Sequence, residues 1–190
     1  MLVLASTSAY RRELLARLRL PFEVAAPHVD ETPRAGELPA QTALRLAQEK
    51  ARAVAARFAQ ALVIGSDQVA ELEGERLDKP GGHERARAQL QLLSGRAAVF
   101  HTAVALLNSG TGRMQVRVVA TRVRFRQLGA AQIESYLLAE QPYDCAGAAK
   151  SEGLGIALIE AIQGDDPTAL IGLPLIALTD MLTAEGHPLV

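Results

Sequence analysis

The apolar positions of this chain come in short blocks separated by polar turns, and their spacing alternates between the period of a strand and that of a helix. Leu2 to Ala5 is an apolar run. After Ser6-Thr7-Ser8, Leu14, Leu15 and Leu18 recur at helical spacing, so the opening is predicted as strand, loop, helix. Phe22 to Ala26 is a candidate second strand, and the Pro-containing segment from His28 to Pro39 is a predicted loop. Leu44, Ala47, Ala51, Val54, Ala55 and Phe58 mark one face of a long helix. Ala61 to Gly65 is predicted as a strand with a polar end at Ser66-Asp67-Gln68, followed by Val69 to Leu72 and a turn at Glu73-Gly74. Ala86, Leu90 and Leu93 define a helix stopped by Ser94-Gly95.

Val99 to Leu107 and Met114 to Phe125 are predicted to pair as a hairpin around Asn108 to Gly112. In the second of these, Thr121, Val123 and Phe125 alternate with Arg122, Arg124 and Arg126, so one face is wet. Ile133, Tyr136 and Leu137 mark a further helix, the stretch from Gly153 to Ile162 a further strand, and Leu175 to Leu182 a final helix. Mixed periods without an internal repeat or a low-complexity linker predict one α/β domain over residues 1–190, either undivided or bilobed around a cleft.

Composition narrows the classes of partner. About half of the 190 residues are hydrophobic, ample for a core. The net charge of −1 provides no broad positive field for nucleic acid or an anionic membrane, so an anionic ligand must be held by a local cluster. The single cysteine, Cys145, cannot form an internal disulfide, which fits a reducing cytoplasm. Arg11 and Arg12 follow the first apolar run instead of preceding it, the reverse of a signal peptide. Apolar stretches such as Ile171 to Leu178 are far shorter than the roughly 20 residues of a membrane span. Of the 20 basic residues only three are lysine, Lys50, Lys79 and Lys150, so each departs from the chain's default cation.

Against that background four places can carry chemistry. The strand–turn–helix opening offers free backbone N–H groups and a helix dipole to an anion, with Ser6 and Arg11 able to add hydrogen bonds and Arg12 beside them. Taken alone, it reads better as an N-capped surface helix with two solvated arginines. Asp30-Glu31 in the loop and Asp67 beside Leu62-Val63-Ile64 are carboxylates suited to a hard divalent cation such as Mg²⁺. Asp67 is the harder to explain as surface, because an ionisable group in an apolar strand is costly unless paired or functional. Lys50 on the long helix and Lys79, fixed before Pro80-Gly81-Gly82, are candidate point-charge contacts to phosphate, with solvated lysine as the alternative. The four histidines are scattered, and no Walker loop or dinucleotide fingerprint is present.

In order along the chain, Leu4-Ala-Ser-Thr-Ser-x-x-Arg-Arg, Asp30-Glu31-Thr-Pro, Arg45-Leu-Ala-x-Glu-Lys-Ala51, Gly65-Ser-Asp67, Lys79-Pro80, Leu93-Ser-Gly95, Ala146-Gly147 and Gly172-Leu-Pro-Leu175 resemble the Maf family of nucleotide pyrophosphatases. The resemblance covers essentially the whole chain. It implies an α/β fold of the Maf and ITPase-like kind, an elongated mixed β-sheet flanked by helices around a central substrate cleft. It further implies a homodimer and release of pyrophosphate from a nucleoside triphosphate with a divalent cation, Mg²⁺ or Mn²⁺. It places Ser6, Arg11, Glu31, Lys50, Asp67 and Lys79 in the active site, with Asp67 as proton acceptor and Glu31 and Asp67 as metal ligands.

Members acting on thymidine and uridine triphosphates carry Ser-Pro-Arg-Arg, Ala-Asp-Thr and a later Gln. This chain has Tyr10, Gln68 and Glu152 at those places, which resembles the branch acting on 7-methyl-GTP, although that branch shows Pro-Trp where Ala9-Tyr10 stands here. Physically, 7-methylguanine is cationic. An aromatic face such as Tyr10 attracts it by about 0.5–2 kcal/mol, and a partly desolvated Glu152 carboxylate would add to that. The alternatives are a pyrophosphatase for dTTP, UTP or another noncanonical nucleotide, and a non-enzymatic nucleotide-binding regulator of cell division.

Overall fold

A computed structural model describes residues 1–190. The chain runs β1 (Leu2–Ala5), α1 (Ala9–Ala16), β2 (Phe22–Val24), α2 (Pro39–Ala55), β3 (Leu62–Leu72), β4 (Glu75–Leu77) and α3 (His83–Leu93). It continues through β5 (Ala97–Asn108), β6 (Met114–Phe125), α4 (Ala130–Glu140), β7 (Ile159–Gln163) and α5 (Leu175–Ala184). The seven strands form one mixed sheet of order β2-β1-β3-β5-β6-β7, with β4 paired to β3. β1 lies parallel to both β2 and β3, while β3–β4 and β6–β7 are antiparallel. By contacts the chain divides into two compact units. The first comprises Met1–Gln68, Thr102–Val119 and Asp166–Val190, and the second Val69–His101 and Ala120–Asp165.

In the first unit the pleat decides which helix covers which face. Leu2 and Leu4 of β1, Leu62 and Ile64 of β3, and Val104 and Leu106 of β5 share a core with Leu14 and Leu15 of α1 and Leu178, Met181 and Leu182 of α5. The opposite side of β3 meets α2, where a Cβ on Gly65 would overlap the Ala47 carbonyl oxygen and stand 2.8 Å from the Ala51 nitrogen. Only glycine allows the helix this close. In the second unit Leu90 and Leu93 of α3, Phe100, Ile133 and Leu137 of α4 are buried, and α3 packs on α4 and on the 3₁₀ turn Ala146–Ala148.

Four expectations change. The buried stripe of α2 is Ala43, Leu46, Ala47, Lys50, Ala51 and Val54, so Leu46 points inward and Leu44 is only half-buried. β3 does not end at Asp67 but continues to Leu72, because tertiary partners satisfy its polar side chains. The segment expected as a strand from Gly153 begins instead as a 3₁₀ turn, Leu154–Leu158, and becomes strand only at Ile159. Short β4 was not anticipated. The hairpin is as read: the Asn108 N–H donates to the Arg113 carbonyl, and Gly95 closes α3 with φ of +70°.

Candidate active site

Strand alternation organises the polar triplet of β3. Asp67 lies two residues from Gly65 and therefore on the same face, toward α2, while Ser66 and Gln68 take the other. On the α2 side, Lys50 occupies the inward stripe one position before Ala51. Its Nζ lies 2.6 Å from Asp67 Oδ1 and 2.6 Å from Glu31 Oε1. Lys50 is 4% exposed and Asp67 7%. A buried ammonium is tolerated only when paired and hydrogen-bonded, and two carboxylates meet that condition. The missing Cβ of Gly65 is what brings α2, and with it Lys50, within reach of Asp67.

On the other face, Ser66 Oγ donates to the carbonyls of Ala103 and Gly172, at 2.8 and 2.9 Å. Gln68 Nε2 donates to Thr102 Oγ1 and to the carbonyls of Ala169 and Leu170. The Gly172 carbonyl also accepts from Arg11 Nε at 2.9 Å, so one carbonyl joins α1 to β3. Burial lowers the Arg11 guanidinium from its ordinary value, and the charges of Asp67 and Glu31 oppose that shift. Arg11, Lys50, Glu31 and Asp67 thus form one electrostatic group in which the formal charges cancel.

Ser6 is buried at the end of β1. Its Oγ accepts from the Ser8 N–H at 3.1 Å, and the Ser8 hydroxyl caps α1 by accepting from the Arg11 N–H. Tyr10 is half-buried on the first turn of α1, and Arg12 is exposed. Asp30 accepts from the N–H and hydroxyl of Thr32, which lowers its pKa and makes it a turn former. Glu31, its neighbour, is the one that reaches Lys50.

Sequence reasoning assigned no role to Arg45 or Glu37, yet they fix the loop that delivers Glu31. Arg45 Nε and Nη2 grip both oxygens of Glu37 at 2.6 and 2.8 Å, and Nη2 also donates to the Thr32 carbonyl at 3.1 Å. The hydrogen bonds from Arg45 lower the Glu37 pKa from 4.5 to about 2. The signal was present, since Arg45 opens a quoted motif, but its partner lies in the loop and not on the helix. Asp166 was also unassigned. It accepts from the N–H groups of Thr168 and Ile176, closing the loop that presents Gly172.

Lys79 and Glu152 belong to the second unit. Lys79 is exposed before buried Pro80, and the Gly81 N–H donates to the Tyr143 carbonyl at 2.9 Å, which fixes that corner. Glu152 is exposed, not partly desolvated as expected, because its loop is held by the residues on either side of it. No group of three or more His, Cys, Asp or Glu side chains converges to hold a metal. Two carboxylates are nevertheless a donor set that Mg²⁺ uses together with substrate phosphates. No helix is long and apolar enough to cross a membrane.

The Maf-like protein family matches residues 1–185. The 7-methyl-GTP pyrophosphatase of Thiobacillus denitrificans is 67% identical over 185 residues, covering 97% of this chain and 92% of that protein. The protein of the same name from Paraburkholderia xenovorans is 63% identical over 191 residues, covering 99% and 93%. That from Albidiferax ferrireducens is 62% identical over 185 residues, covering 97% and 93%. Among solved structures, the Staphylococcus aureus Ham1 protein aligns with a TM-score of 0.47 at 17% identity, over 66% of this chain and 72% of that one.

Proposed function

Because this chain belongs to the Maf family of Maf-like proteins, we propose that it is a nucleoside triphosphate pyrophosphatase that hydrolyses 7-methyl-GTP to 7-methyl-GMP and pyrophosphate. The observation that carries the reading is the buried Lys50 held between Glu31 and Asp67, next to Arg11. It is supported by relatives of that printed name at 62–67% identity.

In the reaction, water attacks the α-phosphorus, the bond from that phosphorus to the bridging oxygen breaks, and pyrophosphate leaves with the bonding pair. Asp67 takes the proton of the attacking water. Its Oδ1 is engaged by Lys50, which leaves proton transfer to the other oxygen. Arg11 and the N-terminus of α1 orient the phosphate chain, with Ser6 and Arg12 at the same end of that element. Since the charges of Arg11, Lys50, Glu31 and Asp67 cancel, an incoming triphosphate brings uncompensated negative charge. A divalent cation, Mg²⁺ or Mn²⁺, held by Glu31 and Asp67, would supply that neutralisation.

The family resemblance assigns Lys79 a phosphate contact and Tyr10, Gln68 and Glu152 the base. In this scheme Tyr10 stacks on the cationic ring and Glu152 attracts it, while Gln68 acts through the loop its amide holds. A cytoplasmic homodimer acting as one domain over residues 1–190 is part of the same reading, supported by the resemblance and by the lone Cys145.

The test is pyrophosphate release from 7-methyl-GTP, GTP, dTTP and UTP with Mg²⁺ or Mn²⁺. The methylated nucleotide should be preferred over GTP by at least about tenfold in kcat/KM, a difference of about 1.4 kcal/mol. Glu152→Gln should lower activity on 7-methyl-GTP much more than on GTP. Equal turnover of GTP or dTTP by the wild type, or equal slowing of both guanine substrates in the variant, would overturn the assignment of the base.

A further inference from the structure

One charged cluster of the second unit is outside the machinery described above. α4 presents Tyr136 and Glu140, one helical turn apart, to the segment that follows Ala148. The Tyr136 hydroxyl donates to the Ala148 carbonyl at 3.1 Å and accepts from the Lys150 N–H at 3.0 Å. One oxygen of Glu140 accepts from the Leu154 N–H at 2.8 Å, and the other pairs with Lys150 Nζ at 2.8 Å. The two side chains therefore grip the loop on both sides of Glu152, and the Gly153 N–H closes its turn on the Lys150 carbonyl. The fit is close, since a Cβ on Gly153 would stand 2.7 Å from Glu140 Oε2. The Glu140 carboxylate is only 13% exposed, whereas Glu152 is open to solvent at the tip.

Lys150 is the third of the chain's lysines and the one that the proposed chemistry does not use. It sits two residues before Glu152, close enough for the Glu152 charge to act on it, and Glu140 is its dominant partner. We infer that Glu140 is a positioning residue for base selection: it fixes the loop that carries Glu152 and sequesters the Lys150 ammonium, which would otherwise neutralise the carboxylate that reads a cationic base. This rests on the assignment of Glu152 under the proposed function. The recognised ligand is a positively charged nucleobase, and the effect of Glu140 is electrostatic as well as structural. A neutral base gains little from an unpaired carboxylate, so its turnover does not depend on where Lys150 is held.

The experiment compares kcat/KM for 7-methyl-GTP and GTP in wild type, Glu140→Gln, Lys150→Gln and the double variant. Glu140→Gln keeps an oxygen for the Leu154 N–H but releases Lys150. It should cut the preference for the methylated base by about fivefold, the range of a partly exposed ion pair, with GTP turnover unchanged. Removing the released ammonium in the double variant should restore most of the preference, which a purely structural role of Glu140 would not allow. Glu140→Gln with the wild-type preference, equal loss on both substrates, or a double variant that recovers nothing overturns the inference. A wild type without preference for 7-methyl-GTP overturns instead the reading on which it rests.

Discussion

A buried lysine with two carboxylates is unusual enough to separate structure from chemistry at single residues. Lys50 is compensated twice, so removing one carboxylate charge does not strand it: in Asp67→Asn, Glu31 still stands 2.6 Å from Nζ. The variant should stay folded while its pyrophosphatase turnover falls by at least about 10²-fold, the range of a lost general base. Circular dichroism and a urea midpoint close to wild type would check the fold. Near-normal turnover would remove Asp67 from the reaction. Chain composition had already marked Lys50 as exceptional among arginines. What it could not say is that the lysine points inward, because Lys50 follows two polar residues of α2, Gln48 and Glu49, and only the packed face of the helix shows which way it faces.

At the scale of elements, the site depends on the distance between α2 and β3, and Gly65 sets that distance. Gly65→Ala would push against the Ala47 carbonyl and the Ala51 backbone of a helix that cannot yield locally. The expected cost is about 1–3 kcal/mol of stability, as for other overpacked cores, together with loss of activity because Lys50 is carried away from Asp67. Urea unfolding and turnover measured on the same preparation would check it. A stable and fully active variant would show that α2 is not held by this approach. The Gly65-Ser66-Asp67 motif was legible as a motif, but its logic was not. Alternation sends Gly65 and Asp67 to α2 and Ser66 and Gln68 to the loop of residues 169–172, and that division needs the neighbours on both faces.

For the whole molecule, β3, β5 and β6 each pass through both compact units, so unfolding of residues 1–190 should show one cooperative transition. Its pH dependence carries a mark of the Arg45–Glu37 clamp. Arg45 holds the Glu37 pKa at about 2 against an ordinary 4.5. Because the folded value is depressed, the stability Glu37 contributes is complete above about pH 4.5 and is lost as pH falls through about 2. The lowered values of Asp30 and Glu140 act in the same direction. The urea midpoint of wild type should therefore exceed that of Glu37→Gln at neutral pH and converge with it in acid. A difference that does not change with pH would show that the clamp is not ionic.

Sequence by itself determined what is local. The Met114–Phe125 strand with its arginine face, the hairpin closed at Asn108, the stop of α3 at Gly95 and the apolar helix from Leu175 all follow from periodicity and turn residues within a few positions. It also supplied the residue types of the candidate site, through motifs spread over the chain. Tertiary structure alone decided the partners: Glu31 and not Asp30 on Lys50, Glu37 on Arg45, Gln68 on the carbonyls of residues 169 and 170. It also decided that β3 continues through three polar residues and that Glu152 is exposed. The physical reason is the same in each case. The cost of a polar or charged group inside a fold is set by which distant group meets it, and distance along the chain does not encode that meeting.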